Sequence, residues 1–205
     1  MYTSQVEYQG IIIQNPEKKK ITKLLKKHYP DYHLKTNVHC TFQYFGVDYK
    51  IDSHMKKEEE LLPESILGKE VSLKVNEIGV YKKDGKIMNI ALKVSDFTKE
   101  IEGINLEKYN FNDCLNITLY VNRETFTDEK NRVRPLSSAK RSYKCFGQDL
   151  KEDETYETMP VSLELKGKLA VFVGQSPYYH VKSDVRQLIS NQTLNNDINV
   201  LLQDE

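Results

Sequence analysis

The sequence predicts a soluble α+β domain, either one unit or two small lobes sharing a core. Three observations point there. A chain of 205 residues is the size of one domain. Its 56 Leu, Ile, Val and Phe residues exceed the roughly 20% below which disorder is expected, so a lean core can form. Short β-branched and aromatic runs alternate with helically spaced segments, and one pattern of strands occurs twice.

The elements follow in order. Tyr8 to Gln14 is a short apolar run closed by Asn15-Pro16, a strand. Pro16 suits the start of a helix. Ile21, Leu24 and Leu25 then recur at helical spacing among the lysines from Lys18 to Lys27, and the helix stops before Pro30. Asn37 to Phe45 is rich in β-branched and aromatic residues and ends at Gly46, a second strand. Asp48 to Glu64 is a charged connection, with a short helix at Lys56 to Leu62. Val71, Leu73 and Val75 alternate with polar residues, as a half-buried strand does. Asp84-Gly85 is a hairpin signal, and Ile87 to Val94 is the returning strand. Phe97 to Leu106 has helical spacing. Leu115 to Val121 is a strand. Asn122 to Thr158 is polar and long for a loop, which marks a functional segment. Val161 to Val173 is a strand or strand pair, Val181 to Ile189 is helical, and the Asn-rich stretch from 191 to 205 is a tail.

The repeated pattern is specific in its order. Val71-Ser72-Leu73 and Val161-Ser162-Leu163 each open a strand pair. His39-Cys40-Thr41-Phe42 precedes the first, and Asn116-Ile117-Thr118-Leu119 precedes the second.

Composition removes several classes of function. With 30 Lys+Arg against 30 Asp+Glu, the chain lacks the basic excess of a general nucleic-acid-coating protein. A local basic groove is still open to it. No apolar run approaches the roughly 18 residues of a membrane span. Ile11-Ile12-Ile13 near the start follows no basic segment, so no secretory signal is expected. Cys40, Cys114 and Cys145 form no Cys-x-x-Cys and are expected to be reduced thiols of a cytoplasmic protein. No metal site or cofactor is expected.

A strand bearing His-x-Thr-apolar, once per lobe, resembles the 2H phosphoesterases, the LigT-like superfamily of cyclic phosphodiesterases that includes a domain of tRNA ligases. The resemblance spans roughly residues 8 to 173. His39-Cys40-Thr41-Phe42 matches the first motif. Asn116-Ile117-Thr118-Leu119 matches the second except that Asn116 replaces histidine. The stretch 67–94 and Pro135-Leu136-Ser137-Ser138 look like the regions after the two motifs. The resemblance implies a bilobal α+β fold, two antiparallel-dominated sheets framing a central cleft. The lobes would cover about 8–98 and 110–190.

It also implies a metal-independent phosphodiesterase with His39, Thr41, Asn116 and Thr118 as its catalytic set. One imidazole acts as base and the other as acid, while the threonine hydroxyls donate to phosphate oxygens. The partner would be a nucleotide, a cyclic nucleotide or an RNA end, carrying a 2′,3′-cyclic phosphate or a 2′-5′ linkage. Asn116 can hydrogen-bond but cannot shuttle a proton. The chain would then be an impaired hydrolase, or a binding protein that sequesters a nucleotide or RNA, or an enzyme with another proton donor, for which His180 is the candidate. Tyr44, Tyr120, Tyr143 and Tyr178 are candidates for base stacking. Arg134, Ser137 and Arg141 stand for phosphate contacts in the basic loop, which also holds Arg132, Lys140 and Lys144.

Overall fold

The computed structural model describes residues 6–46, 60–173 and 176–178. Its centre is one sheet of six long-range antiparallel strands that closes on itself. The strands are β1 (Tyr8–Ile12), β2 (His39–Tyr44), β3 (Glu70–Lys83), β4 (Lys86–Phe97), β7 (Asn116–Val121) and β10 (Glu154–Val173). Their order is β1-β2-β7-β4-β3-β10, and β10 pairs back onto β1. One residue layer can be followed in register around the whole barrel: Leu169, Ile11, Cys40, Ile117, Leu92 and Ile78. All six are fully buried. Closure removes the open edges that an antiparallel sheet otherwise exposes.

Helix α1 (Glu17–His28) adds Ile21 and Leu25 to the same apolar cluster. Its exposed lysines face water. Glu17 Oε2 accepts the Lys166 amide at 2.9 Å, which ties the helix start to β10. A 3₁₀ helix at Ala139–Phe146 lies on the outer barrel wall. Cys145 there joins Tyr81, Met88 and Ala91 in a second apolar cluster. Gly79 makes that approach possible, since a Cβ at this position would stand 2.4 Å from the Cys145 carbonyl oxygen.

This fold corrects the bilobal α+β expectation and, with it, the resemblance to the 2H phosphoesterases. The described residues are mostly β, a closed six-strand antiparallel barrel that carries α1 and the 3₁₀ helix at Ala139–Phe146 as its longest helices. Strand β7, from the expected second lobe, lies between β2 and β4 of the expected first. Two lobes cannot be separated when their strands share one hydrogen-bonded ring. The two echoing Val-Ser-Leu segments lie on neighbouring strands, with Leu73 opposite Leu165 and Val75 opposite Leu163.

Other local expectations divide. The β3–β4 turn sits at Asp84-Gly85, both at positive φ (51° and 75°), as an Asp-Gly hairpin requires. Phe97 to Leu106 is not a helix. Glu102 and Gly103, both at positive φ, turn the chain between β5 (Glu100–Ile101) and β6 (Ile104–Asn105). The polar stretch from Asn122 to Thr158 holds a small hairpin, β8 (Thr125–Thr127) with β9 (Val133–Pro135), then the 3₁₀ helix and the start of β10. A short β11 (Ser176–Tyr178) pairs with the end of β10. The expected helix at Val181 to Ile189 and the tail lie outside the described residues, as does most of that at Lys56 to Leu62. No helix among the described residues is long and apolar enough to cross a membrane.

Candidate functional site

The seam between β2 and β7 carries the four residues of the two sequence motifs. Cys40 opposes Ile117, and both point into the barrel. Successive strand residues face opposite sides. His39 and Thr41 on β2, and Asn116 and Thr118 on β7, therefore share the outer face. The structure brings them onto adjacent strands and gives each different company.

Thr118 is buried beneath the 3₁₀ helix, and its hydroxyl shares a 2.7 Å hydrogen bond with that of Ser142. Asn89 on β4 donates to Ser142 Oγ at 3.1 Å and to the Ser138 carbonyl at 2.9 Å, and Ser137 donates to the Asn89 side-chain oxygen. This closed network docks the Leu136-Ser137-Ser138 loop on the barrel, and Ser137 lies buried within it. Asn116 donates to the Cys114 carbonyl two residues earlier, at 2.9 Å.

His39 lies against the rings of Tyr8 (5.0 Å between centroids) and Phe172 (5.1 Å). Its Nδ1 is enclosed and finds no hydrogen-bond partner among the described residues. Burial, and then the charge of Lys35, push its pKa from the usual 6.5 down to about 3 against an opposing contact with the Asn37 backbone. An imidazole in this state is neutral at physiological pH, so the imidazolium that would serve as an acid is not populated.

A pH dependence follows. The unfolded imidazole binds a proton below about 6.5, whereas the folded one does so only near 3. Stability should therefore decline as pH falls through that window, by about 1.4 kcal/mol per pH unit for this one group. His39→Phe should flatten that slope, because the replacement ring keeps the stack and cannot be charged. Urea midpoints at pH 7, 6 and 5 check it; an unchanged slope in the variant means that His39 is solvated.

Beside Thr41 the seam opens into a groove of about 650 Å³. Thr41, Tyr44, Phe111, Asp113, Tyr143 and Asp149 are among its lining residues. Two of its rings stand far out, Tyr44 at 42% exposed and Phe111 at 65%. The backbone explains why Phe111 is presented so. Its amide donates to the Phe42 carbonyl at 3.0 Å, and Asn112 Nδ2 donates to the Thr41 carbonyl at 3.1 Å. Asn112 Oδ1 also accepts the Cys114 amide at 3.1 Å. The segment is thus pinned to β2 while the Phe111 ring is left in water. Lys140 sits over the Tyr44 ring, 4.0 Å from its centroid, and donates to its hydroxyl at 2.7 Å.

The other expected binding residues are dispersed. Tyr120 packs edge-on against Tyr32, 4.8 Å between centroids. Arg134 is on the β8–β9 hairpin, where it and Arg132 are paired with Asp128. Arg141 is exposed and donates to the Leu136 carbonyl at 3.0 Å. Tyr178 belongs to β11, but its side chain, like all of His180, is outside the described residues. The three cysteines are free and buried; burial pushes the Cys40 thiol up to about 12, which makes it unreactive. Sequence reasoning missed Phe111, Asn112, Asp113 and Asp149. One signal was available: a large apolar side chain in the turn-forming run Asn110-Phe111-Asn112-Asp113 has no strand or helix to bury it.

No family model matches the chain, and no curated protein matches its sequence. Among solved structures, the fold is similar to one described as a crystal structure of a fungal RNA kinase, at 14% sequence identity and a TM-score of 0.48. The match covers 82% of this chain and 45% of that one, so this chain spans less than half of the kinase chain.

Proposed function

We propose that the groove beside the β2–β7 seam binds a nucleotide or a short single-stranded RNA segment, without chemistry on it. The observation that carries this reading is the set of aromatic rings, Tyr44, Phe111 and Tyr143, around one open groove. Exposed rings of this size are costly to leave in water, and every nucleobase offers a face to stack on them. Asp113 and Asp149 repel phosphates but accept hydrogen bonds from base amino groups. They favour a pose with bases in the groove and the backbone outside, toward Lys140. Cleavage of a phosphodiester, the activity expected from the sequence motifs, is less well supported. It needs two groups that exchange protons near neutrality, and the seam offers a neutral imidazole, an amide and two hydroxyls, that of Thr118 already engaged by Ser142.

Fluorescence anisotropy with labelled RNA oligomers tests the reading. Tyr44→Ala and Phe111→Ala should each remove about 1–3 kcal/mol, or about 5- to 150-fold in affinity, the usual scale for one stacked base. Phe126→Ala, an exposed ring on β8 outside the groove, should leave affinity unchanged. Binding that is absent in the parent, or unaffected by both groove variants, rejects the proposal.

A further inference from the structure

The chain balances 30 Lys+Arg against 30 Asp+Glu, yet the only charged residues that line the groove are Asp113 and Asp149. Both are exposed, and neither carboxylate has an ion-pair or hydrogen-bond partner among the described residues. Each accompanies a ring on its own flank: Asp113 follows Phe111 in one segment, and Asp149 follows the 3₁₀ helix that carries Tyr143. Asp149 is the more firmly placed. Among the described residues other than glycine, four have positive φ: Asp84, Glu102, Asn131 and Asp149. The first three lie in hairpin turns, where the turn itself demands it. Asp149, at φ 50°, lies instead between the 3₁₀ helix and β10. A residue with a side chain persists in that conformation only where its surroundings over-determine it. Here a buried ammonium does so. Lys144 Nζ, itself held by Glu154, donates to the Asp149 carbonyl at 3.1 Å. The backbone is thereby fixed, while the carboxylate is left open on the same lining as the Tyr143 ring.

We infer that the groove selects guanine, stacked on its rings, through a two-bond contact from the base to the Asp149 carboxylate. The inference rests on the proposed function and names the base. An ionised carboxylate only accepts hydrogen bonds, through two oxygens side by side. Guanine alone of the four RNA bases sets two donors side by side on its Watson–Crick edge, N1–H and one N–H of the 2-amino group. Adenine and cytosine offer one amino N–H beside a ring-nitrogen lone pair, which repels the second oxygen. In uracil the N3–H lies between two carbonyl oxygens. Parallel two-bond pairs to a charged group belong to the strong class of hydrogen bond. Unpaired RNA bases are commonly read on this edge while they stack on aromatic side chains. No lysine or arginine in the lining competes for the carboxylate. Asp113, on the other flank, repels phosphates and contributes no preference among bases.

The test uses the full chain and labelled RNA hexamers of uridines in which one central base is guanine, hypoxanthine, adenine, cytosine or uracil. By fluorescence anisotropy the guanine hexamer should bind about 5- to 150-fold tighter than those with adenine, cytosine or uracil, the usual scale for one bidentate base contact. Hypoxanthine keeps N1–H and lacks the 2-amino group, so its hexamer should fall between. Asp149→Asn should bring guanine level with the other bases, because a carboxamide puts a donor where an acceptor was needed. Asparagine tolerates positive φ, so Tm should not change. Asp113→Asn should keep the preference and tighten every hexamer. Equal affinity for all hexamers in the parent, hypoxanthine bound as tightly as guanine, or a preference that survives Asp149→Asn overturns the base assignment while the proposed function stands. The hypoxanthine comparison is made on the parent, so it decides even where a variant loses its fold. Binding of no hexamer overturns both readings.

Discussion

Glu154→Ala is expected to cost about 3–5 kcal/mol of folding stability, the range for breaking a buried ion pair by removing one partner. Glu154 sits at the start of β10, and its side chain is 3% exposed, against 7% for the Lys144 side chain. Lys144 Nζ donates to Glu154 Oε1 at 2.5 Å and to the Asp149 carbonyl at 3.1 Å. The Lys151 amide adds a third contact at 3.0 Å, and the fully buried Tyr81 donates its hydroxyl to Oε2. Burial disfavours the carboxylate, but the bonds from Lys144, Tyr81 and Lys151 outweigh it and hold the pKa at about 2. With an ordinary value of 4.5 in the unfolded chain, this stabilisation is complete above about pH 5 and is lost as pH falls toward 2. In the alanine variant the Lys144 ammonium stays buried without a counter-charge. Replacing both partners, Lys144→Met with Glu154→Leu, should recover most of the loss, because no charge is then stranded. Urea unfolding of the three proteins decides it. A loss below about 1 kcal/mol for Glu154→Ala would show that water reaches the pair. Lys144 is on the same 3₁₀ helix that supplies Tyr143 to the groove lining.

Gly10→Ala should cost about 3 kcal/mol, the upper part of the range for overpacking. A Cβ at Gly10 would lie 2.0 Å from the Cys40 carbonyl oxygen and 3.0 Å from the Phe42 amide nitrogen. Both obstacles are backbone, so no rotamer change relieves them. The contact falls where the β1–β2 register shifts, between Gln9 and Gly10. Beta1 must pair with β2 on one side and β10 on the other, and the alanine forces it away from the first. Gly46→Ala is the comparison, since nothing lies within 4 Å of a Cβ there and only its φ of +88° opposes the change. It should be the milder of the two by thermal denaturation. Equal losses at the two sites would mean that strain in φ, not close approach, governs Gly10.

The local elements were legible where side-chain period and turn chemistry coincide. Tyr8 to Ile12, the helix through Ile21 and Leu25, the strand at His39 and the Asp84-Gly85 hairpin all carry such signals. Phe97 to Leu106 misled because Phe97, Ile101 and Ile104 have helical spacing, while the Glu102-Gly103 turn between them is decided by backbone dihedrals. The first half of β10, from Glu154 to Pro160, was hidden because its outer residues are polar and its partner β3 is far away in sequence. Periodicity states that a strand exists and does not state its neighbour. The echo of the Val-Ser-Leu and Thr-bearing strands was therefore read as two lobes, when it is two pairs of adjacent strands. His39, Thr41, Asn116 and Thr118 lie on one face of two adjacent strands, but of the four only Thr41 lines the groove. What each side chain touches depends on the 3₁₀ helix and the 110–114 segment, which no pattern announced.

The pairing of β1 with β10 also sets the order in which this protein can be made. Strand β1 leaves the ribosome long before its partner, since Tyr8 pairs with Phe172 and Gln9 with Val171. Until then β1 can hold only β2, and both it and β3 offer a bare flank to any passing chain. Hairpins such as β3–β4 form from contacts near in sequence, whereas ring closure must bring together the most distant segments, the slowest class of event in folding. The nascent protein thus passes through a long interval as an open, sticky sheet. Aggregation before closure is therefore a hazard separate from the strength of the finished barrel.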